Sequence, residues 1–503
     1  MLSPSAFRRR RWRMDGFERQ LFIGPLCQEQ RLLFNYGTYD IETPSIDDLS
    51  LEMIGFFDGE GYYCFRDLDD FFDHVLQPRY SGWRIFAHYG GRFDIHYLFD
   101  QLIWNPKSKW RHAPFSFHVA GSCVIAFTIT IGEHWWRFCD SYRLLQSSLF
   151  RLTYDFDVEH KKMPFDPTSV EYNRHDCLGL YEVLTSFFNE FRVCSETIAS
   201  QAMRVFRSRY LAKDLAIPPM DVEWDVRKAY FGGRVEIYRY DKARIHQFDV
   251  NSLFPSQMLL PVPVEYLMRS TRVPDHDKLI GFYEADIDVP DHLYLPPVPY
   301  RIEKLYFPTG KLASAFLTSM EIRAAIEAGC KVKVHSGILF RTDTALAEYV
   351  EDLHRQKTIA EEAGHKGRRF AFKILMNSLY GKFGQQRERR AYMFDTGELK
   401  APNGEAIWPM AELPGLAWYR AQSRSPHILP HISACITARS RLCQLDYLEE
   451  PRRAGGRIWY TDTDSLFTDT LVWSGSGIGD LDYKGEGSFQ AYGLKEYLWK
   501  EKY

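Results

Sequence analysis

The 503-residue chain has no CxxC pair and no Cys/His cluster at zinc spacing, although it carries nine cysteines. That excludes a structural zinc framework and points to reduced thiols in a cytoplasmic setting. No apolar run approaches the length of a membrane span, so no membrane partner is expected. The opening MLSPSAFRRRRWRMDGF is basic but lacks the apolar segment of a secretory signal, so the protein is not expected to be secreted. Residues 1–33 read as a solvated basic tail. Internal repeats and long low-complexity segments are missing too. Nor does one sign of charge dominate, because the formal net charge is -3. Nucleic-acid binding would therefore have to come from local basic grooves offset by acidic clusters elsewhere.

What is present is a chain long enough for two to four cores, with 45% hydrophobic and 26% charged residues. Residues 34–190 alternate strand-like runs (NYGTYDIET, WRIFAHY, CVIAFTIT, HWWRFCDSY) with helical stretches, an α/β pattern. Residues 191–245 are mixed and end in AYFGGRVEIYRY, where Gly232-Gly233 permits a close backbone approach. Two strand-like segments bearing aspartates, IHQFDVNSLF and RIWYTDTDSLF, then bracket a long stretch. Within it, 263–300 is rich in proline, 346–384 is strongly helical, and 385–424 reads as irregular.

The stretch 460-YTDTDS-465 places Asp462 and Asp464 one residue apart in an apolar hairpin pattern. Taken alone it is as well explained by a polar turn. Two like charges that close need a cation or a set of donors. Asp249, at the end of an apolar strand approach, supplies a third carboxylate. Three oxygen ligands suit two Mg²⁺ ions about 3.5–4 Å apart, which clamp the oxygens of a phosphoryl transfer. In 373-KILMNSLYGKFG-384, Lys373, Asn377 and Tyr380 fall on one helical face, opposite Ile374, Leu375 and Leu379. A cation, an amide and a ring on one face can hold a triphosphate and stack a base.

These three stretches, in this order, resemble the A, B and C motifs of family B DNA polymerases (DxxSLYPS, KxxxNSxYG and YxDTDS). The detail resembles the protein-primed branch of phages, viruses and linear plasmids. AYFGGRVE looks like its YxGG element. 437-TARSR-441 looks like its Tx2GR element, with Ser440 in the glycine place, and 492-YGLKEYLW looks like its KxY element on Lys495 and Tyr497. The resemblance implies Asp249, Asp462 and Asp464 as metal-binding catalytic groups with the Val250 carbonyl. It implies Phe254, Lys373, Asn377 and Tyr380 at the nucleotide, and Lys495 and Tyr497 at the primer end. Phe254 stands where the family usually has Tyr, and its ring still fills the steric role against a 2′-hydroxyl.

The N-terminal part carries acids of its own. Asp40 and Glu42 lie at strand period 2, Asp94 follows in AHYGGRFDIHYL, and Tyr172 and Asp176 sit at helical i, i+4. Four carboxylates and a tyrosine fit two-metal hydrolysis of a phosphodiester, with Asp40, Glu42 and Asp176 as ligands. This resembles the motifs of 3′–5′ proofreading exonucleases with an RNase H-like fold. Tyr89 replaces the family's Asn at the single-strand contact, and Ser141 and Tyr142 look like its Ser-Leu contact. The family's auxiliary lysine has no secure match, with Lys161 and Lys162 as candidates.

The resemblance implies a mixed α/β and α+β multidomain chain. An RNase H-like exonuclease domain (34–190) and a connecting region (191–245) precede a right-hand polymerase palm and fingers (246–503). Within the latter, 262–345 and 385–424 are insertions in the positions of the branch's two terminal-protein regions, and 346–384 forms the fingers. The chain ends at Tyr503, so the expected thumb is short or absent. The implied cofactors are two Mg²⁺ ions per site, with Mn²⁺ as the substitute. Implied partners are template and primer DNA, dNTPs and a terminal priming protein, with a monomeric chain. A reverse transcriptase would show YxDD in place of YTDTDS. The rival from another class is a polymerase-derived nucleic-acid-binding protein, or a partial chain with exonuclease activity only. The presence of all seven carboxylates speaks against it.

Overall fold

The computed structural model describes residues 21–26, 34–45, 47–120, 123–394, 406–410, 415–422 and 425–501. Of the expected tail, 1–20 and 27–33 lie outside that set. The described remainder corrects the expectation: Leu21–Ile23 pairs antiparallel with Leu215–Ile217, and Ile23 is buried. Three successive apolar residues after the basic run favour a short strand over a solvated coil.

The alternating runs of the first part join into one sheet. Tyr36–Glu42 lies parallel to Arg84–Ala87, which lies parallel to His134–Asp140. Met53–Phe57 and Tyr62–Phe65 extend one side antiparallel, and Cys123–Ile131 and Phe115–Ala120 extend the other. The helix Val170–Phe191 crosses this sheet. Ser169 starts it, its hydroxyl accepting the Tyr172 N–H at 3.3 Å. Midway, the Cys177 carbonyl accepts the Thr38 hydroxyl at 2.8 Å, which fixes the helix against the first strand.

A second, fully antiparallel sheet runs in the order Val235–Ile237, Ile458–Asp462, Ser465–Thr468, Ala243–Val250, Leu481–Gly493, Glu496–Glu501. The two aspartate-bearing segments, two hundred residues apart in sequence, are neighbouring strands here, with Asp249 opposite Ser465. Residues 262–345 build a sheet of their own from Val262–Arg269, Lys331–Asp343, Leu279–Val289 and Gly310–Thr318. Its buried core includes Tyr283, Ile287, Leu317 and Ile322. The helix Ser319–Glu327 closes it, started by a capping box between Thr318 and Glu321.

The helices Ala347–Glu362 and Lys366–Phe383 pack against Ile198–Arg209 in the expected helical stretch. Leu375, Met376, Leu379 and Phe383 share one buried cluster with Leu180, Leu184, Phe187 and Phe191 of the Val170–Phe191 helix. Each such side chain contributes about 1.5–3 kcal/mol on burial, so the two halves are held as one packed body.

The stretch 385–424 differs most from expectation. Its described residues form the strands Glu388–Phe394, Ile407–Pro409 and Leu416–Gln422. Tyr392 pairs with Phe117, their rings stacked at 4.9 Å, so these strands extend the first sheet. Cross-strand aromatics, including Trp408 on Trp418 at 4.4 Å, outweigh the Gly and Pro content that suggested a loop. The 191–245 region likewise contains the helices Ile198–Arg209 and Met220–Lys228.

Candidate active sites

The Asp462–Asp464 pair sits at a two-residue hairpin turn between Ile458–Asp462 and Ser465–Thr468. Thr463 takes φ 63°, a conformation a β-branched side chain resists. Its surroundings hold it there. The Thr463 N–H donates to the Arg234 carbonyl at 2.7 Å, and a Cβ on Gly233 would lie 2.6 Å from the Thr463 methyl. The glycine pair of AYFGG is thus explained by the turn it packs against. The Val250 N–H donates to the Asp464 carbonyl at 2.7 Å and locks the Asp249 strand to this turn.

Asp249 and Asp464 lie close enough for their charges to act on one another. Burial, followed by the Asp249 charge, pushes the Asp464 carboxyl up to about 6, and burial raises Asp249 as well. A pair of hard oxygen donors held together against repulsion fits a divalent cation. Asp462, expected to support the metal ions, faces a cation of the chain itself. Both its oxygens are taken by the Lys495 ammonium, at 2.9 and 3.0 Å. Among the described residues, Asp249, Asp462 and Asp464 do not form as tight a cluster as the other acidic site does. Lys495, expected at the primer end, is reached through Tyr460, whose hydroxyl accepts the Lys495 N–H at 2.9 Å. Tyr497 packs its ring on Tyr460 at 5.2 Å and is half-exposed.

Phe254 and Tyr380, from separate segments, stack at 4.4 Å and 19°. Burial pushes the Tyr380 hydroxyl up to about 12, so it stays neutral. Asn377 is half-buried and Lys373 exposed on the same helix face, while Leu375 and Leu379 are buried behind them, as the spacing indicated. No motif pointed to Asp482, which lies opposite Asp249 on the Leu481–Gly493 strand and bonds to Lys484. It joins the site only through strand pairing.

The second site forms where the first sheet meets the Val170–Phe191 helix. Carboxylate oxygens of Asp40, Glu42 and Asp176 lie within 4.8 Å of one another. Burial raises all three above their ordinary range, and neighbouring carboxylate charge adds to it at Asp40 and Glu42. The Asn173 amide reaches the Asp40 carboxylate at 3.3 Å and Glu42 at 3.5 Å. One oxygen of Asp176 is buried without a hydrogen-bond partner among the described residues. Hard, close-set oxygens with one left unsatisfied fit a divalent metal. Asp94 stands apart from the cluster: its carboxylate accepts the Ile41 N–H at 3.1 Å, and burial pushes it up to about 7.

The structure singles out Lys162, which the sequence left undecided against Lys161. Its ammonium bonds to Asp176 and donates to the Tyr172 hydroxyl at 2.6 Å. Lys161 turns outward to Asp157. Ser141 is a further correction, because it has no exposed surface. Its hydroxyl donates to the Ala87 carbonyl at 3.0 Å and meets His88 at 2.9 Å, so it cannot touch a strand directly. Tyr142 instead stacks on Tyr89 at 4.0 Å, with Tyr89 at φ 63° and exposed at the rim.

The sequence pattern described as "DNA polymerase type B, organellar and viral" matches residues 164–408. A probable DNA polymerase of Podospora anserina is 26% identical over 66% of this chain and 32% of its own length. The DNA-directed DNA polymerase of Enterobacteria phage PRD1 is 25% identical over 89% of this chain and 79% of its own. The chain thus spans about a third of the fungal relative and most of the phage one. Phi29 DNA polymerase complexed with primer-template DNA and incoming nucleotide shares the fold, at TM-score 0.72 and 18% identity. That likeness covers 92% of this chain and 87% of the other.

Proposed function

We propose that the chain, which the organellar and viral type B DNA polymerase pattern matches over 164–408, is a DNA polymerase of that type, template-directed and with a 3′–5′ proofreading exonuclease. The observation that carries the reading is the pairing of strands that brings Asp249 beside the Asp462–Asp464 turn, with Phe254 stacked on Tyr380 next to it. In synthesis the primer 3′-hydroxyl attacks the α-phosphorus of a dNTP and pyrophosphate leaves. Asp249 and Asp464, with the Val250 carbonyl, would hold two Mg²⁺ ions. When bound, these ions supply charge stabilisation for the attacking and leaving oxygens. Lys373 and Asn377 meet the triphosphate, the Phe254–Tyr380 stack bounds the sugar and base, and Tyr497 lies at the primer end. Lys495 neutralises Asp462 and so orients the turn that carries Asp464.

In degradation, Asp40, Glu42 and Asp176 would hold the metal ions, and the Tyr172 hydroxyl, fixed by Lys162, orients the attacking water. The exposed Tyr89–Tyr142 pair offers rings on which an unpaired end base can stack. By this reading 34–190 is the exonuclease domain, 191–245 the connection, 346–384 the fingers, and the rest of 246–503 the palm with its insertions. We also propose initiation from the hydroxyl of a terminal protein. AYFGG, the Lys495–Tyr497 element and the separately folded 262–345 module support it. The chain would act as a monomer in the cytoplasm; no described helix is long and apolar enough to cross a membrane.

The test supplies a primed template, Mg²⁺ and each dNTP singly. Addition of the complementary nucleotide alone is expected. Failure to add any nucleotide would return the reading to a nuclease or a binding protein.

A further inference from the structure

The lysine of the acidic cluster does not sit on a helix or strand. Lys162 lies in the irregular segment between the helices Leu149–Asp155 and Val170–Phe191, so something outside the site must fix its position. Four contacts do so, three of them from the helix that also carries Tyr172 and Asp176. The Glu182 carboxylate accepts the His160 backbone N–H at 3.1 Å with one oxygen and meets His160 Nδ1 at 2.5 Å with the other. His175 Nδ1 meets the Lys161 carbonyl at 3.0 Å. At Gly179 the backbone comes so close that a Cβ would lie 2.3 Å from the His160 carbonyl oxygen. From the preceding helix, the Thr153 hydroxyl accepts the Lys162 N–H at 3.2 Å.

Tyr172, His175, Asp176, Gly179 and Glu182 recur at helical spacing, so one stripe of one helix presents the site and the anchors of its lysine. We infer that Glu182, with Gly179 as its seat, is a positioning residue for the nuclease reaction: it holds the 159–162 segment so that the Lys162 ammonium meets Asp176 and Tyr172. The inference rests on the nuclease reading above. Among the described residues, Glu182 bonds to neither the acidic cluster nor any group expected to meet DNA, so its effect must pass through Lys162. A two-point carboxylate clamp on both the backbone and the side chain of His160 restrains translation and rotation of the segment together. A displacement of about 1 Å at the lysine is enough for a large rate loss.

The experiment measures 3′ shortening of a labelled single strand in Mg²⁺ by wild type, Glu182→Ala, Glu182→Gln, Gly179→Ala, Lys162→Ala and the Glu182→Ala/Lys162→Ala double variant. Glu182→Ala and Gly179→Ala should each lower kcat about tenfold or more with KM for DNA nearly unchanged. Glu182→Gln, which can still bond at both points, should restore most of the rate. The double variant should be no slower than Lys162→Ala alone, since the clamp has nothing left to position. Primer extension by each variant reports that the fold is intact. Near wild-type shortening by Glu182→Ala, or a double variant slowed by the product of the two single effects, would overturn the inference. A wild-type chain that never shortens DNA would instead remove the nuclease reading itself.

Discussion

Thr463 at φ 63°, Ser252 at 56° and Lys495 at 66° are all close to the site that holds Asp249 and Asp464, and Tyr89 at 63° stands at the rim of the other site. Each such residue costs on the order of 1–3 kcal/mol and persists only where its neighbours over-determine it. At Thr463 the neighbours are Arg234 and Gly233, so the strain keeps Asp464 close to Asp249. Thr463→Gly should therefore slow extension severalfold while leaving folding stability unchanged or raised by about 1 kcal/mol. Urea denaturation checks it, and a clear loss of stability would mean the turn is not strained. His431 is a residue of another kind. It is fully buried, stacked on Phe340 at 4.7 Å, and neither ring nitrogen has a partner among the described residues. Burial pushes it down to about 3, from an ordinary 6.5. The unfolded chain takes up a proton below about pH 6.5 that the folded chain refuses until about pH 3. Stability is therefore lost as pH falls through that window. In His431→Leu this loss should vanish, so the gap in urea midpoint between variant and wild type should widen from pH 7 to pH 4. Parallel profiles would contradict the assignment.

The 262–345 module is joined to the helix Pro430–Arg453 by a buried ion pair. Arg441, from the element 437-TARSR-441, bonds to Glu321 at 2.6 Å and donates to the carbonyls of Phe231 and Gly232 at 3.1 and 2.8 Å. Neither side chain is exposed. Glu321→Ala would strand the guanidinium, at a cost of about 3–5 kcal/mol, whereas a Glu321→Leu/Arg441→Met double variant should recover part of it, the capping contacts with Thr318 being lost in both. Equal stability of the single and double variants by denaturation would show the pair is not the link. Elements also mark how far the sequence could be read. Asp249, Asp462, Asp464, Asp40, Glu42 and Asp176 were legible because motif spacing lies within single strands and one helix. Asp482 and the partner of Lys495 were not, since each enters its site through strand pairing, and Lys162 could not be separated from Lys161 because both lie in an irregular segment with no period to orient them. The strands within 385–424 were hidden by glycine and proline, and only their stacking on Phe117 explains them. The stripe Tyr172, His175, Asp176, Gly179, Glu182 was visible as a period but gave no sign of what it anchored.

At the scale of the molecule, two acidic sites share one body through the core that joins Leu180 and Phe187 to Leu375 and Leu379. Both sites hold carboxylates that burial has raised, Asp464 to about 6 and Asp40, Glu42 and Asp176 above their ordinary range. A raised carboxyl stabilises the folded state where it keeps its proton. That contribution is lost as pH rises through the folded value, unless a cation replaces the proton. Mg²⁺ should therefore raise the thermal midpoint more at pH 8 than at pH 5.5, read by scanning calorimetry. An equal shift at both would separate the metal from these carboxyls. The central claim is that one chain carries two independent metal-dependent reactions. Its most direct test is a 5′-labelled primer–template incubated in Mg²⁺ with and without dNTPs, comparing wild type, Asp249→Ala, Asp464→Ala and Asp40→Ala/Glu42→Ala. Wild type should lengthen the primer with dNTPs and shorten it without them. Asp249→Ala and Asp464→Ala should only shorten it, and Asp40→Ala/Glu42→Ala should only lengthen it. Near wild-type extension by Asp249→Ala or Asp464→Ala, or undiminished shortening by the Asp40/Glu42 variant, would contradict it.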